Sequence, residues 1–251
     1  QYVLVLQEGV AMGMADAYAR ATGGPAFVNL HIETGLANGI SLLNNSYASG
    51  TPLVLTAGNK DIRELAHGRS DLAQMARQFS KWSVEVTHPE LVPVVVQRAF
   101  NEAKSQPTGP TFVAFSANAL DGEADIDIVP SPSARRRTPP DRGAVEDAVR
   151  VLAEATDPVL VVANRVARTG ASAEAVRVAE LLGARVLAMS TSEMNFPTGH
   201  EQFLGRTRLG HLPSDSPLSR ADVVLFAGEM AAGGFMFSNP AIRLLNADTR
   251  L

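Results

Sequence analysis
The strongest constraint on the fold of this chain is an alternation of short apolar runs with longer stretches of helical spacing, punctuated by glycine and proline. Residues 26–30, 52–57, 110–115, 158–163 and 185–189 are runs of this kind, rich in Val, Leu, Phe and Ala. A run that is apolar at nearly every position has no solvent face, so it belongs in a sheet covered on both sides. Strands covered in that way are parallel, and each return from the end of one to the start of the next needs a crossover long enough for a helix. The predicted order in the first half is a strand at 3–6, a helix to about residue 21, a strand at 26–30, a helix from about 35 to 48 and a strand at 52–57. A strand at 81–86, a helix at 89–104 and a strand at 110–115 follow. Gly23-Gly24 and Gly50 stand where two of these helices must stop, positions that suit a left-handed residue.

Residues 129–142 break the rhythm with prolines, serines and Arg135-Arg136-Arg137, and read as a semi-extended, solvated linker. A second α/β rhythm then begins: a helix at 144–154, a strand at 158–163, a helix at 172–182 ended by Gly183, and strands at 185–189 and 222–228. The expected architecture is α/β, with two doubly wound parallel-sheet domains over 1–128 and 143–251 joined by the linker 129–142. Both ends are expected to be cuts within a longer polypeptide, since Gln1 opens a predicted strand and residues 246–251 lead towards another.

Charge narrows the function classes. A formal net charge of −4 over 251 residues supplies no field for nucleic acid or an anionic membrane. The absence of cysteine excludes disulfides and thiolate metal sites and is compatible with a reducing cytoplasm. No apolar stretch approaches the ~20 residues of a membrane span. His67, His88, His200 and His211 are scattered without metal-ligand spacing, and no protein metal site is expected. Neither Gly-x-Gly-x-x-Gly nor Gly-x4-Gly-Lys-Ser/Thr occurs, and no serine lies in a Gly-x-Ser-x-Gly elbow, so nicotinamide, P-loop and hydrolase readings lack their motifs. Gly233-Gly234, with Met230, Phe235, Met236 and Phe237, reads as an apolar pocket wall or a plain packing loop.

Glu8 carries the first chemical signal. It ends the apolar run Tyr2-Val3-Leu4-Val5-Leu6 and opens the small-residue segment Gly9-Val10-Ala11-Met12-Gly13-Met14-Ala15. Open α/β sheets bind ligands at the carboxyl ends of their strands, and a carboxylate there is a candidate acid or base. A glutamate in a first helical turn also complements the helix dipole, and that structural reading stands beside the catalytic one. His31 follows the next predicted strand in the same manner, either as a proton carrier or as a hydrogen-bonded structural histidine. Two neighbouring strand ends, each leading into small residues that let a flat ring approach the backbone, point to a cofactor site.

Gln7-Glu8-Gly9, Ala15-Asp16-Ala17-Tyr18-Ala19, Asn29-Leu30-His31, the Gly35-x-x-Asn38 spacing and Pro52-Leu53-Val54-Leu55-Thr56-Ala57-Gly58 together resemble the pyrimidine-binding domain of thiamine-diphosphate enzymes. Benzoylformate decarboxylases and acetolactate synthases are the nearest kinds, with Lys81-Trp82-Ser83 most like the former. The resemblance continues through Pro107-Thr108-Gly109-Pro110 into a second half similar to the family's Rossmann-like middle domain. It implies thiamine diphosphate and Mg2+ as cofactors and a 2-oxo acid as substrate, in a cytoplasmic homodimer or homotetramer. It further implies that Glu8 hydrogen-bonds N1′ of the aminopyrimidine and that His31 moves protons during decarboxylation to an aldehyde. Thr34 and Gly35 would pack against the pyrimidine, and Asn38 would brace its loop.

Three departures from the family pattern qualify this expectation. The Gly-Asp-Gly segment and downstream Asn that hold magnesium and the diphosphate have no counterpart in the sequence, so those groups are expected to bind elsewhere. The loop carrying an active-site serine would precede Gln1. No histidine occurs in 228–237, where benzoylformate decarboxylases place a second one, which argues against benzoylformate itself as substrate. Two alternatives remain open. One is a carboligase of the acetolactate synthase type, whose middle domain can hold FAD. The other is a noncatalytic module that binds thiamine derivatives or a partner subunit.

Overall fold
Val54 and Leu55 are adjacent in sequence and both fully buried, each against a different cluster of side chains. Successive side chains of a strand point to opposite faces, so this strand is covered on both sides. The computed structural model describes residues 2–128, 139–189, 193–207, 216–228 and 243–247. Those residues fall into two compact units, Gln1–Arg136 and Arg137–Leu251.

In the first unit the elements run α1 (Glu8–Thr22), β1 (Ala26–Leu30), α2 (Ile32–Ser49), β2 (Leu53–Asn59), α3 (Leu72–Ala76), β3 (Trp82–Val86), α4 (Val92–Lys104), β4 (Thr111–Ser116) and α5 (Ala117–Asp121). The described strands form a parallel sheet in the order β1-β2-β4-β3. Leu53, Leu55, Ala57, Phe112 and Ala114 meet α1, α2 and α3 on one face. Val54, Val86 and Val113 meet Ala99 and Ala103 of α4 on the other. Glycines stop the long helices: Gly23 and Gly50 both sit at φ 69° and return an N–H to the last turn, a conformation a Cβ would oppose.

The second unit runs α6 (Arg142–Ala153), β5 (Pro158–Val162), α7 (Asn164–Arg168), α8 (Ser172–Leu182), β6 (Arg185–Met189), β7 (Phe203–Thr207), α9 (Pro217–Arg220), β8 (Val223–Ala227) and β9 (Arg243–Ala247). Its sheet order is β7-β6-β5-β8-β9, all parallel. The chain leaves β5 towards β6 and β7 on one side, then crosses to β8 and β9 on the other. Alternation repeats here: Leu160, Val162 and Val186 pack on one face, Val159, Val161, Val224 and Phe226 on the other. The fold is thus α/β with doubly wound parallel sheets. No described helix is long and apolar enough to cross a membrane.

One predicted element is absent. Residues 3–6 are not a strand and pair with no strand among the described residues, and Tyr2, Leu4 and Leu6 are largely exposed. An apolar run satisfies its N–H and C=O groups as a strand only where a neighbouring strand can pair with it. Glu8 therefore does not end a strand; it is the first residue of α1. The second-half helix begins at Arg142, inside the expected linker, because Asp141 caps it by accepting from Ala144 N at 2.7 Å. Short helices α5 and α7 and strands β7 and β9 carry no marked pattern in the sequence. Residues 129–138, with the three arginines, and 229–242, with the predicted Gly-Met-Phe wall, lie outside the described residues.

Asp222 ties the loop before β5 to the start of β8. Its carboxylate accepts from Thr156 N at 2.6 Å, Thr156 Oγ1 at 2.9 Å and Asp157 N at 3.0 Å. Burial opposes ionisation of Asp222, but those donations outweigh it and hold the carboxyl below its ordinary value. A depressed folded-state pKa contributes stability that is present above the unfolded value and lost as pH falls through the folded one. Asp222→Asn is expected to lower Tm by about 2–4 °C at pH 7, with the gap to wild type closing as pH is lowered through the acidic range. Thermal melts of both proteins across that range check it.

Candidate functional site
The site is assembled by two helices on the same face of the first sheet. Gln7 caps α1 through its side chain, which accepts from Val10 N at 3.0 Å, and Glu8 follows in the first turn. On the inner face of α1, Met12, Ala15 and Ala19 are buried in the cluster that also takes in Leu36 and Leu43 of α2. On α2 the facing positions are also small. A Cβ at Gly39 would fall 2.6 Å from Leu30 Cδ1 and 3.6 Å from Met12 Cγ.

Polar contacts then set the register. Asn38 Nδ2 donates to Glu8 Oε2 at 3.2 Å, and Ser46 Oγ donates to Asp16 Oδ1 at 2.8 Å. Both pairs are 30 residues apart, and a constant offset means that α1 and α2 run parallel. Arg20 closes the far end, its Nε lying 2.8 Å from Asp16 Oδ2 and its Nη2 donating to Ser49 Oγ at 2.9 Å. Bound into this frame, Glu8 is half-buried. Gly35 is buried beside it, and a Cβ there would lie 3.4 Å from Glu8 Oε1.

The structure therefore brings Glu8, Gly35 and Asn38 together. His31 stands at the carboxyl end of β1 as the N-cap of α2, with its ring exposed and no side-chain cap bond. Its backbone oxygen accepts from Gly35 N at 2.9 Å, so imidazole and glycine share one turn. Thr34 is exposed in that turn and makes no hydrogen bond to Glu8 or Asn38. Among the described residues no group of three or more His, Asp or Glu could hold a metal ion.

Three features of the same rim carry no signal in the sequence. Ile32 adopts φ 35°, a left-handed conformation unusual for a β-branched residue. Glu33 Oε1 lies 3.9 Å from Lys60 Nζ, while its Oε2 is buried with no hydrogen-bond partner among the described residues. Lys60 in turn leads into a polar cluster at the ends of β2 and β3. There Asn59 Nδ2 donates to Glu85 Oε1 at 2.8 Å, and Arg69 pairs with the same carboxylate.

In the second unit the carboxyl end of β5 leads into Asn164, whose Oδ1 accepts from Glu193 N at 3.2 Å. Arg168 Nη2 donates to Glu193 Oε1 at 3.0 Å with both side chains largely buried. This is the position at which doubly wound sheets switch direction.

The chain is similar to known proteins in both units. Residues 1–80 match the N-terminal TPP binding domain of thiamine pyrophosphate enzymes, and residues 145–247 match their central domain. A benzoylformate decarboxylase of Pseudomonas aeruginosa is 32% identical over 213 residues, covering 82% of this chain and 40% of that protein. A sulfoacetaldehyde acetyltransferase of Castellaniella defragrans is 29% identical, covering 89% of this chain and 38% of its own. Among solved structures, a thiamine diphosphate-dependent 4-hydroxybenzoylformate decarboxylase of Rhodococcus jostii RHA1 superposes with a TM-score of 0.85 at 30% identity, covering 98% of this chain and 49% of that one. The chain thus spans about two fifths of the curated relatives it matches. With both domain matches in chain order and the α1–α2 site inside the first, the chain belongs to the family of thiamine-diphosphate-dependent enzymes.

Proposed function
We propose that the chain supplies the pyrimidine half of a cofactor site, together with a middle domain, to a cytoplasmic homo-oligomeric enzyme. That enzyme uses thiamine diphosphate and Mg2+ to decarboxylate a 2-oxo acid to an aldehyde. The observation that carries this reading is the Glu8 carboxylate, held by Asn38 through one oxygen and facing the bare backbone of Gly35 with the other. A flat heterocycle with a hydrogen-bonding ring nitrogen fits that cradle, since a larger residue at 35 would crowd Glu8 Oε1 and Oε2 is already committed. The magnesium ion and the diphosphate would be held by a domain outside this sequence.

When bound, thiamine diphosphate would supply a nucleophilic carbon and a sink for the electron pair left behind as carbon dioxide departs. The residues of this chain do the rest of the work on their side of the site. Glu8 shares a proton with N1′ of the aminopyrimidine, and the Asn38 amide keeps its carboxylate turned to that nitrogen. Gly35 lets the ring lie against the start of α2. His31, whose ring makes no hydrogen bond to a described residue, holds a proton at a ring nitrogen and passes it to the substrate-derived carbon that carbon dioxide leaves. The relatives named as decarboxylases of benzoylformate and 4-hydroxybenzoylformate support an aromatic 2-oxo acid.

Carboligation is the second reading. It is favoured by matches to acetolactate synthases at 24–27% identity, two of which cover 98% and 99% of this chain. Both readings release carbon dioxide, and they part at the organic product: an aldehyde for the first, a hydroxyketone or hydroxy acid for the second.

The test is carbon dioxide release by the full natural protein from aromatic and aliphatic 2-oxo acids, with thiamine diphosphate and Mg2+, and identification of the product. Glu8→Gln is expected to lower turnover by a factor on the order of 10² to 10⁴ with an unchanged circular dichroism spectrum; near-normal turnover would sink the mechanism. Gly35→Ala is expected to raise the thiamine diphosphate concentration for half-maximal activity by about 5-fold, the equivalent of ~1 kcal/mol. A cofactor titration reads that shift directly, and no change would mean that the ring does not lie against residue 35.

A further inference from the structure
The turn between β1 and α2 holds a conformation that its sequence resists. Ile32 is the one non-glycine residue with positive φ among the described residues, and a β-branched side chain there collides with its own backbone. Such a conformation persists where the surroundings over-determine it, and both sides of this turn are pinned. On the strand side Leu30 is buried and paired in register with Ala57. On the helix side Leu36 is fully buried, and a Cβ at Gly39 would fall 2.6 Å from Leu30 Cδ1. His31 alone separates the last strand residue, Leu30, from the first helical residue, Ile32. Glu33 adds a further hold through Lys60.

The pinning has a consequence for His31. His31 immediately precedes the strained residue, and its ring makes no cap bond to α2 and stays exposed at the rim. We propose that the strained backbone at Ile32 is the device that aims the His31 imidazole into the site, making Ile32 a positioning residue for the proton transfers assigned to His31. This rests on the function proposed above.

Comparing Ile32→Gly with Ile32→Ala in the full natural protein tests the proposal, because both remove the side chain and only glycine relieves the backbone. Inside most helices glycine melts below alanine. Here Ile32→Gly is expected to melt above Ile32→Ala by about 2–4 °C. The relaxed turn should at the same time lower kcat by roughly 10-fold or more relative to Ile32→Ala, with KM and thiamine diphosphate affinity within about 2-fold. Stability and turnover thus run in opposite orders, which a purely structural role would not produce. A glycine variant that melts below the alanine one, or that matches it in kcat, overturns the proposal. His31→Ala serves as the separate check: wild-type turnover in that variant overturns the role of His31 itself, a result the Ile32 pair cannot mimic.

Discussion
The packing of α1 against α2 is the contact on which the candidate site depends. Its apolar part supplies the energy: Met12, Leu36 and Leu43 are fully buried there, and burying a side chain of that size is worth about 1.5–3 kcal/mol. Each hydrogen bond between the helices contributes ~0.5–1.5 kcal/mol net, so the polar pairs do not hold the helices together. Their role is register. Hydrogen bonds are more directional than apolar contacts, and Asn38 with Glu8 and Ser46 with Asp16 are both satisfied in this alignment. The Glu8 carboxylate acquires a fixed direction from a scaffold whose stability comes from elsewhere.

Much of the fold is legible in the sequence because both sheets are covered on two faces. A strand such as β2 opens with Leu53-Val54-Leu55, apolar and buried on both faces, and Gly23, Gly50 and Gly183 announce helix ends by a conformation other residues avoid. What fails is what depends on a partner. Residues 3–6 have the composition of a strand, but composition cannot tell whether another strand lies alongside. At β7 and β9 the signal is weak for a related reason: edge strands are shielded on one side only, and Phe203–Thr207 alternates between half-buried and exposed positions.

The site divides in the same way. Glu8 and His31 stand out as charged or titratable residues at boundaries between elements, although Glu8 owes its place to the start of a helix and not to the end of a strand. Gly35 and Asn38 are unremarkable by composition and enter through the resemblance to a known family. Ile32 is invisible: nothing in an isoleucine foretells a positive φ, because the strain comes from how tightly the strand before it and the helix after it are docked. Tertiary constraint, and not local preference, decides such positions.

The constant offset of 30 residues between α1 and α2 has a bearing on how chains of this design can change in length. From Glu8 to Asp16 and from Asn38 to Ser46 are eight steps each, about 12 Å of helix. Adding or deleting one residue between the two locks in either helix would turn everything beyond it by about 100° and shift it by ~1.5 Å, so one lock would have to open. The connection at Gly23-Gly24-Pro25, outside both locks, has no such bookkeeping. Variation in length is therefore expected in that connection and in the segments beyond the locks, while the nine-residue spans can change in sequence but not in number.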